Sequence, residues 1–306
     1  MRLENYLENP FSDYHKNPPR MFFGTAPVLR KWLRKLKRNK YQYVFLSSSA
    51  FWNAPREFMG AYLKYIGRKP RAKHGILMIE HNAVPYLKKY NEEKYLKQNR
   101  VFALTANNGI PRLNPHYFGE FPATKFSKSK IYFSVVGGIN PGSKNHDLLL
   151  STVQKLLDNG IKNFQVSVIG NGELPLSKQL AKYIRVMGRL NYHDMYSTVN
   201  NSNFILALLD PNNPKHERYK TGTTTGSFQL SLGFNKPLVI EHSFATHYNL
   251  TNKNAVVYDG EDLYDAMKRA IEISAEEYSS KQQALAKFAG NVYTESLNNL
   301  GRAIGK

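Results

Sequence analysis

The sequence predicts an α/β protein of two domains, each built on a parallel sheet with helices on both faces. From Ile131 onward, short apolar runs alternate with amphipathic stretches in the order β-α-β-α-β-α-β. The apolar runs are continuous, which is typical of strands buried on both faces of a sheet. The first 120 residues repeat this style less clearly, so we expect a smaller α/β domain there.

The elements of the second half can be placed one by one. Strands are expected in IYFSVVG, NFQVSVIG, IRVMG, NFILALLD, PLVIEHS and AVVYDG. Helices are expected in NHDLLLSTVQKLLDNG, PLSKQLAKYI, YHDMYSTVNNS and GSFQLSLGF, and again from Glu261. Asn145 or Ser143 is suited to cap the first helix, which closes at Gly160. The pattern therefore predicts about six strands in one parallel sheet.

The first half contains strand patterns in YQYVFLSSS, HGILMIEHN and RVFALTANN, and helical patterns in VLRKWLRKLK, REFMGAYLKYI and YLKKYNEEKYLKQ. The segment from Ile110 to Ser129 holds three prolines and little periodicity, which places the domain boundary there. We predict a first domain at residues 1–122 and a second at 128–275. Residues 276–306 are expected to form one or two helices that could pack back on the first domain.

Composition excludes several classes of protein. The 306 residues are 42% hydrophobic and contain no cysteine, so a disulfide framework and a thiolate metal site are both excluded. No apolar run reaches the roughly 18 residues of a membrane span. The N-terminus MRLENYLENP lacks the apolar core of a signal peptide. We expect a cytoplasmic protein.

Positive charge is concentrated in the first half of the chain. Of the formal net charge of +20, residues 1–124 hold 22 Lys and Arg against 8 Asp and Glu. The stretch VLRKWLRKLKRNK has an apolar face beside seven Lys and Arg between Arg30 and Lys40, which is typical of a helix lying on anionic lipid. An ordinary domain helix with a solvated basic side is the alternative. We expect an anionic membrane surface as a partner, with the protein peripheral on its inner face.

One candidate phosphate-binding turn is VVGGINPGSKNHDLLL. Gly137 and Gly142 have the spacing that opens a nucleotide phosphate loop, but Ser143 stands where that motif needs its lysine. The glycines would let the backbone approach a ligand closely. We interpret Lys144 as a phosphate ligand; a solvated loop lysine is the alternative. In VIGNGELP the third glycine of a dinucleotide fingerprint is replaced by Pro175, so an NAD-type site is weakly supported.

A second candidate is the long polar loop PNNPKHERYKTGTTTGSFQL. It supplies cations or potential cations at Lys215, His216, Arg218 and Lys220. Small hydroxyl residues and glycines then lead into a helix, an arrangement in which free backbone N–H groups bind a phosphate or diphosphate. The same residues could do no more than cap the helix.

These motifs occur together in a recognisable order. A strand ending in GG-I-N-P-x-x-K, then VIGNGE, then IRVMGRLNYHDMYSTVNNSNFILALLDPN, then a glycine-containing loop and a helix before PLVI, resembles the donor domain of GT-B glycosyltransferases of the large, mostly retaining, sugar-nucleotide-dependent family. The resemblance covers residues 131–274. It implies two Rossmann-like domains facing a cleft, with a small or reduced N-terminal domain on the acceptor side.

The resemblance also implies roles for particular residues. The donor diphosphate would be bound by the first glycine turn and by the second loop: Gly137, Gly138, Lys144, Arg218, Lys220, Thr223, Thr224, Thr225, Gly226 and Ser227. The nucleobase would lie at Met187, Gly188 and Arg189. Gly138 stands where the family has an arginine, so Arg218 or Lys220 would replace it. The family's pair of glutamates is incomplete, since Thr225 lies eight residues after Glu217.

The implied reaction moves a sugar from a nucleotide-sugar to a glycan or lipid-linked acceptor, as in surface polysaccharide assembly. Helix N-termini and lysines can stabilise the departing diphosphate, and the sequence has no D-x-D motif, so we expect a metal-independent hexosyltransferase. No cofactor is expected besides the nucleotide-sugar co-substrate. Glu217 and His81 are the candidate catalytic residues, His81 as a group that orients the sugar or the acceptor hydroxyl. A purely structural histidine and a solvated Glu217 ion pair are the alternatives.

Other classes stay open at this level. A nucleic-acid-binding protein would use the basic first half, although no DNA- or RNA-binding signature is present and we expect no nucleic acid partner. A GT-B-like sugar-nucleotide epimerase, or a carbohydrate-binding relative without activity, would share the same donor domain.

Overall fold

The computed structural model describes residues 44–47, 76–80, 101–105, 109–114, 116–119, 121, 122, 124 and 126–304. The chain divides into two compact units. The larger unit contains His116–Asn291, and the smaller contains the described residues before them together with the segment that begins at Val292. None of the described helices is both long enough and apolar enough to cross a membrane.

The described strands of the smaller unit are β1 (Val44–Ser47), β2 (Ile76–Glu80) and β3 (Val101–Ala103). They pair in parallel in the order β1-β2-β3, as the three apolar runs of the first half predict. The helices predicted in that half lie outside the described residues.

The larger unit alternates strands and helices. Its strands are β4 (Ile131–Val136), β5 (Phe164–Ile169), β6 (Ile184–Gly188), β7 (Phe204–Leu206), β8 (Leu238–Glu241) and β9 (Val256–Tyr258). Its helices are α1 (His146–Asp158), α2 (Tyr192–Asn200), α3 (Gly226–Phe234), α4 (His242–His247) and α5 (Leu263–Glu272). A last helix, α6 (Ala275–Ile304), continues into the smaller unit.

The six strands form one parallel sheet in the order β6-β5-β4-β7-β8-β9. The α/β class and the parallel sheet predicted from the sequence are thereby confirmed. The central strands are fully covered, with Phe133 on β4 at 1% exposure and Phe204 on β7 at 0%. From β4 the chain first builds outward through β5 to β6 and then returns to the other side at β7. Such a reversal of strand order leaves a crevice at the carboxyl ends of the two central strands.

The first helix of this sheet has the cap that the sequence offers. The Asn145 side chain accepts a hydrogen bond from the Leu148 N–H at 3.1 Å. Leu149, Val153 and Leu156 then repeat on one face and are fully buried. After Asp158 the chain turns at Gly160, whose φ of +75° is one that glycine adopts readily.

Two local predictions differ from the structure. The stretch PLSKQLAKYI was predicted as a helix but forms only the 3₁₀ turn Leu180–Lys182. Leu180 is its one buried residue, so a longer helix would have too little apolar surface to bury. A short helix that the sequence did not predict, α4, follows β8, and the Glu241 side chain caps it by accepting the Ser243 N–H at 2.9 Å.

Helix α6 is a single helix with partners in both units. Within the larger unit, the Tyr278 hydroxyl donates to the Asn203 carbonyl at 2.9 Å. Within the smaller unit, the Ser296 hydroxyl accepts the Asn114 N–H at 2.9 Å, and Leu300 packs on a cluster that includes Phe102. The C-terminal segment is therefore held by buried contacts along its length.

Candidate anion-binding site

A cavity of about 700 Å³ opens at the carboxyl ends of β4 and β7, where the strand order reverses. The residues that line it come from the loops after these two strands and from the start of α3: residues 136–138, 141–144, 209, 214–216, 218, 219, 225 and 226. A crevice at this position is where ligands bind in open parallel sheets. Both loops that the sequence singled out for phosphate binding therefore meet in one cavity.

Glycines allow the turns after β4 and β5 to approach each other closely. A Cβ on Gly170 would lie 1.7 Å from the Gly137 carbonyl oxygen, so no larger residue fits there without backbone movement. Gly137 itself has a φ of +145°, and a Cβ on it would lie 2.9 Å from Cε of Lys144. The Gly137 N–H donates to the Ile169 carbonyl at 2.9 Å, which fixes the turn on β5.

Lys144 lies directly before the cap of α1 and turns its side chain into the base of the cavity. It is 8% exposed. Its Nζ donates to the Ala207 carbonyl at 2.6 Å and to the Ser227 hydroxyl at 3.2 Å. These bonds connect the turn after β4 to the end of β7 and to the first turn of α3.

The charge of Lys144 is not neutralised by a carboxylate within the part of the chain that the structure describes: both of its hydrogen-bond partners are uncharged. Burial lowers the pKa of the Lys144 ammonium to about 8. A buried charge with neutral partners is unfavourable unless a counter-ion joins it. The base of the cavity is thus an electrostatic site for an anion.

The backbone is strained where β7 ends. Leu208 has a φ of +49° although it is not glycine, and its side chain is 1% exposed. The Leu208 carbonyl accepts the Asn145 N–H at 2.9 Å, so this unusual conformation presents an acceptor to the start of α1. Strained residues of this kind persist only where the surrounding packing holds them, and they are common at functional sites.

His216 joins the two loops of the cavity. It is 1% exposed. Its Nδ1 accepts the Asp210 N–H at 2.9 Å, and its Nε2–H donates to the Ser143 carbonyl at 3.3 Å. Burial lowers the pKa of the imidazole below its ordinary value. The sequence suggested His216 as a potential cation, but the hydrogen bond that Nδ1 accepts requires the neutral form.

Two exposed cations line the mouth of the cavity. The guanidinium of Arg218 lies 4.8 Å from the centre of the Tyr219 ring and donates to the Tyr219 hydroxyl at 2.9 Å. The Nζ of Lys215 lies against Gly142, since it would be 3.2 Å from a Cβ built there. Gly142 has a φ of +77°, which glycine adopts readily. Its lack of a side chain also leaves room for the end of Lys215.

The N-terminus of α3 faces the same cavity. Thr225 is its N-cap, with a side-chain oxygen that accepts the Ser227 N–H at 3.4 Å. The Thr225 N–H donates to the buried hydroxyl of Tyr248, which in turn donates to the Thr223 carbonyl. Gly226 lines the cavity, and its N–H bonds to no described residue. Unpaired N–H groups at a helix start, with the positive end of the helix dipole, attract anions.

Several predicted site residues lie beside the cavity without lining it. Glu217 forms an ion pair with Lys220 at 2.7 Å, and both belong to the 3₁₀ turn Glu217–Lys220. Thr223 and Thr224 lie between that turn and α3 and do not reach the lining. Ser227 is 1% exposed and lies behind Lys144, whose charge it helps to hold.

The predicted nucleobase residues lie at the carboxyl end of β6, two strands away from β4 in the sheet. Neighbouring strands lie about 4.8 Å apart, so Met187, Gly188 and Arg189 are roughly 10 Å to the side of the glycine turn. The Gly188 carbonyl accepts the Gly170 N–H at 2.9 Å, and a Cβ on Gly188 would meet nothing within 4 Å. Gly188 therefore borders open space, and none of the three residues lines the cavity itself.

Two predictions lie outside the described residues, namely the role of His81 and the basic helix within residues 28–40. Within the described parts, no group of three or more histidine or acidic side chains is arranged to hold a metal ion. Tyr219 and Tyr248 were missed by sequence reasoning. Tyr219 adjoins cations that were recognised, whereas Tyr248 lies far along the chain and only folding brings it to the N-cap of α3.

No protein-family model and no curated protein sequence matches the chain. Among solved structures, a TarM mutant from S. aureus, crystallised with fondaparinux, alpha-GlcNAc-glycerol and UDP, is 13% identical with a TM-score of 0.53. The match covers 90% of this chain but only 58% of TarM, less than two thirds of its length.

Two further structures cover more of their own length. Anabaena HepE in complex with UDP-glucose is 12% identical with a TM-score of 0.51, over 90% of this chain and 81% of HepE. S. aureus MnaA with UDP is 14% identical with a TM-score of 0.50, over 98% of this chain and 88% of MnaA. At these identities the likeness shows the fold. The predicted resemblance to the GT-B family is thereby confirmed at the level of the fold.

Proposed function

We propose that this protein is a glycosyltransferase that moves a hexose from a nucleotide-sugar to a glycan or lipid-linked acceptor in surface polysaccharide assembly. The observation that carries the proposal is the buried Lys144, which lies between a glycine turn and a helix N-terminus with no carboxylate partner among the described residues. A diphosphate is the anion that matches this arrangement, because it brings two charges and many acceptor oxygens to one place.

The residues have distinct roles in this proposal. Lys144 neutralises one phosphate from below, and the N–H groups of Gly138 and Gly226, which bond to no described residue, donate to its oxygens. Arg218 at the mouth binds the other phosphate. Transfer leaves a nucleoside diphosphate whose negative charge grows as the glycosidic bond breaks, and fixed cations and dipoles stabilise that charge without reorganisation. This set of groups supports a reaction that needs no metal.

The nucleobase is proposed to lie beside Met187, Gly188 and Arg189, at the distance that a nucleoside spans from its phosphates. UDP or UDP-glucose is named with TarM, MnaA and HepE, which supports a uridine nucleotide as donor. The fondaparinux and alpha-GlcNAc-glycerol named with TarM support a glycan acceptor. Glu217 is held by Lys220 away from the lining, so we assign it no step, and His81 stays a prediction.

The test is calorimetric titration of the full chain with UDP, GDP and CDP, before and after Lys144→Met. We expect one nucleotide to bind, and the substitution to weaken it about 10- to 100-fold, because a charged hydrogen-bond donor to phosphate is lost. Lys236→Met is the matched control. Lys236 is also a buried lysine, 4% exposed, but its Nζ donates to the Thr124 hydroxyl at 2.8 Å and it does not line the cavity.

Binding that survives Lys144→Met unchanged would contradict the proposed site. Transfer of labelled sugar from the bound nucleotide to a glycan or lipid-linked acceptor, in buffer containing a chelator, then tests the reaction. Conversion of the nucleotide-sugar into its epimer, with no transfer, would instead establish an epimerase. A loss of activity on chelation that added metal restores would contradict metal independence.

A further inference from the structure

The cavity lining carries more positive charge than a nucleotide-sugar with an uncharged sugar can neutralise. Among the described lining residues, Lys144, Lys215 and Arg218 are cations, and no aspartate or glutamate is present. The positive end of α3 adds to this field. The diphosphate of a nucleotide-sugar carries two negative charges, so one cation is left without an anionic partner once the donor is bound.

The side chains of the described lining offer few hydrogen-bond acceptors: they include no carboxylate or amide, and their only oxygens are the hydroxyls of Ser143, Tyr219 and Thr225. The Ser143 hydroxyl is directed at the carbonyls of Gly138 and Asn140, and both nitrogens of His216 are used within the protein. Lys215 and Arg218 can only donate. The C6 hydroxyl of a neutral sugar is a donor that needs an acceptor, whereas a carboxylate at the same position needs donors alone. The described lining is therefore better suited to an anionic sugar.

Lys215 is the cation that remains when the diphosphate is bound. Lys144 lies at the base against Ser227, and Arg218 is oriented by Tyr219. Lys215 lies elsewhere on the rim, against Gly142, and no acidic side chain of the described residues pairs with it. Its Nζ is thus available to a group beyond the two phosphates.

We propose that the donor is a nucleotide-activated acidic sugar, one whose ring carries a carboxylate, and that Lys215 binds this carboxylate. The inference rests on the proposed function, since it identifies the class of donor for the same site. Lys215 is then a specificity-determining residue: it favours the acidic sugar over the neutral sugar of the same shape, because only the former supplies a counter-charge.

Two pairs of nucleotide-sugars that differ only at C6 test this inference: UDP-glucose against UDP-glucuronic acid, and GDP-mannose against GDP-mannuronic acid. Calorimetric titration of the full chain at low salt should show the acidic member of one pair binding about tenfold tighter. Lys215→Met should abolish that difference, and Lys215→Glu should reverse it in favour of the neutral sugar. Lys162→Met is the control, since this exposed lysine precedes β5 at the amino ends of the strands, opposite to the cavity.

The outcomes separate the two proposals. If UDP or GDP binds but the members of each pair bind equally, the acidic donor is wrong and the proposed function stands. If Lys215→Met weakens both members equally, Lys215 is a diphosphate ligand and the inference is overturned. If neither the free nucleotides nor the sugars bind, the proposed function fails and the inference fails with it.

Discussion

Two buried lysines lie at opposite ends of the strands of the same sheet. Lys144 follows the turn after β4, at the carboxyl ends of the strands, and is 8% exposed. Lys236 precedes β8, at the amino ends, and is 4% exposed. Burial lowers the pKa of each ammonium to about 8. Judged by burial and acidity alone, the two residues are equivalent.

Their surroundings differ. The Lys236 ammonium bonds to the Thr124 hydroxyl, and its own carbonyl accepts the Ser231 hydroxyl at 2.7 Å. It ties the segment around Thr124 to the start of β8. Lys144 instead lines a cavity bordered by further cations and by backbone N–H groups that bond to no described residue. A buried lysine therefore indicates a ligand site only where the fold also leaves space and donors for an anion beside it.

The largest change in stability is expected where the turns after β4 and β5 contact each other, at the carboxyl ends of the strands. Gly170→Ala should lower the free energy of unfolding by about 3 kcal/mol or more, because its Cβ would overlap the Gly137 carbonyl oxygen. Urea denaturation measures the loss. Gly160→Ala, at the amino ends of the strands, is the control. Its Cβ would meet nothing within 4 Å, so only the φ of +75° disfavours alanine, at a cost of about 1 kcal/mol. Equal losses would show that the two turns are not in tight contact.

An intermediate effect concerns the pH dependence of stability, to which both lysines should contribute. Each has a folded-state pKa of about 8, below the ordinary value. The unfolded chain therefore holds more protons between pH 8 and pH 10.5, and stability should rise with pH across that window. Each lysine should contribute on the order of 1 to 3 kcal/mol to the rise. Lys144→Met and Lys236→Met should each remove their own share in urea unfolding experiments.

Bound nucleotide should affect the two lysines differently. A diphosphate beside Lys144 should raise the pKa of its ammonium. Saturating nucleotide should therefore abolish the contribution of Lys144 to the rise of stability with pH and leave that of Lys236 unchanged. By the same linkage, nucleotide affinity should fall as pH rises above about 8. If nucleotide leaves the pH dependence of stability unchanged, Lys144 is as remote from the ligand as Lys236.

A last effect, similar in size to the contribution of one lysine, concerns the link between the two loops. His216→Phe should lower the free energy of unfolding by about 1 to 3 kcal/mol, since it leaves the buried Asp210 N–H without an acceptor. It should also weaken nucleotide binding several-fold, because the turn that holds Lys144 loses its bond to the second loop. His193→Phe, at an exposed position on α2, should change neither quantity.

Acid provides an independent check on His216. Its pKa lies below that of the unfolded chain because of burial, so the unfolded state takes up protons first as the pH falls. Stability should therefore be full above the ordinary value of about 6.5 and should decline below it. The decline should be shallower in His216→Phe. An unchanged profile would mean that the imidazole has the same pKa in the folded and unfolded states.

Much of the larger unit could be predicted from the sequence. The six apolar runs became six parallel strands, and GSFQLSLGF became α3 with the predicted bounds. Local patterns sufficed there because the central runs are buried on both faces, and because helices such as α1 and α5 have one apolar side. The prediction failed at PLSKQLAKYI, where propensity favours a helix but only Leu180 and Ile184 are buried, and Ile184 already belongs to β6.

The site was predicted less completely. Sequence reasoning found both loops and Lys144, since glycines and cations beside strand ends are visible locally. It left open whether Glu217 acts on the sugar or only forms an ion pair, because the direction of a loop side chain depends on the turn that holds it; the structure shows the pair with Lys220. Nor could it assign His216 as a neutral link between loops, since Ser143 lies 73 residues away.

The sequence by itself determined the class of fold, the positions of the strands, and the presence of cationic and glycine-containing loops after them. These properties follow from periodicity and from residues a few positions apart. Only the tertiary structure decided which loops share a cavity, that Lys144 is buried without a carboxylate partner among the described residues, and that Gly170 must be glycine. Those facts depend on strand order and on contacts between distant segments, and no local pattern encodes them.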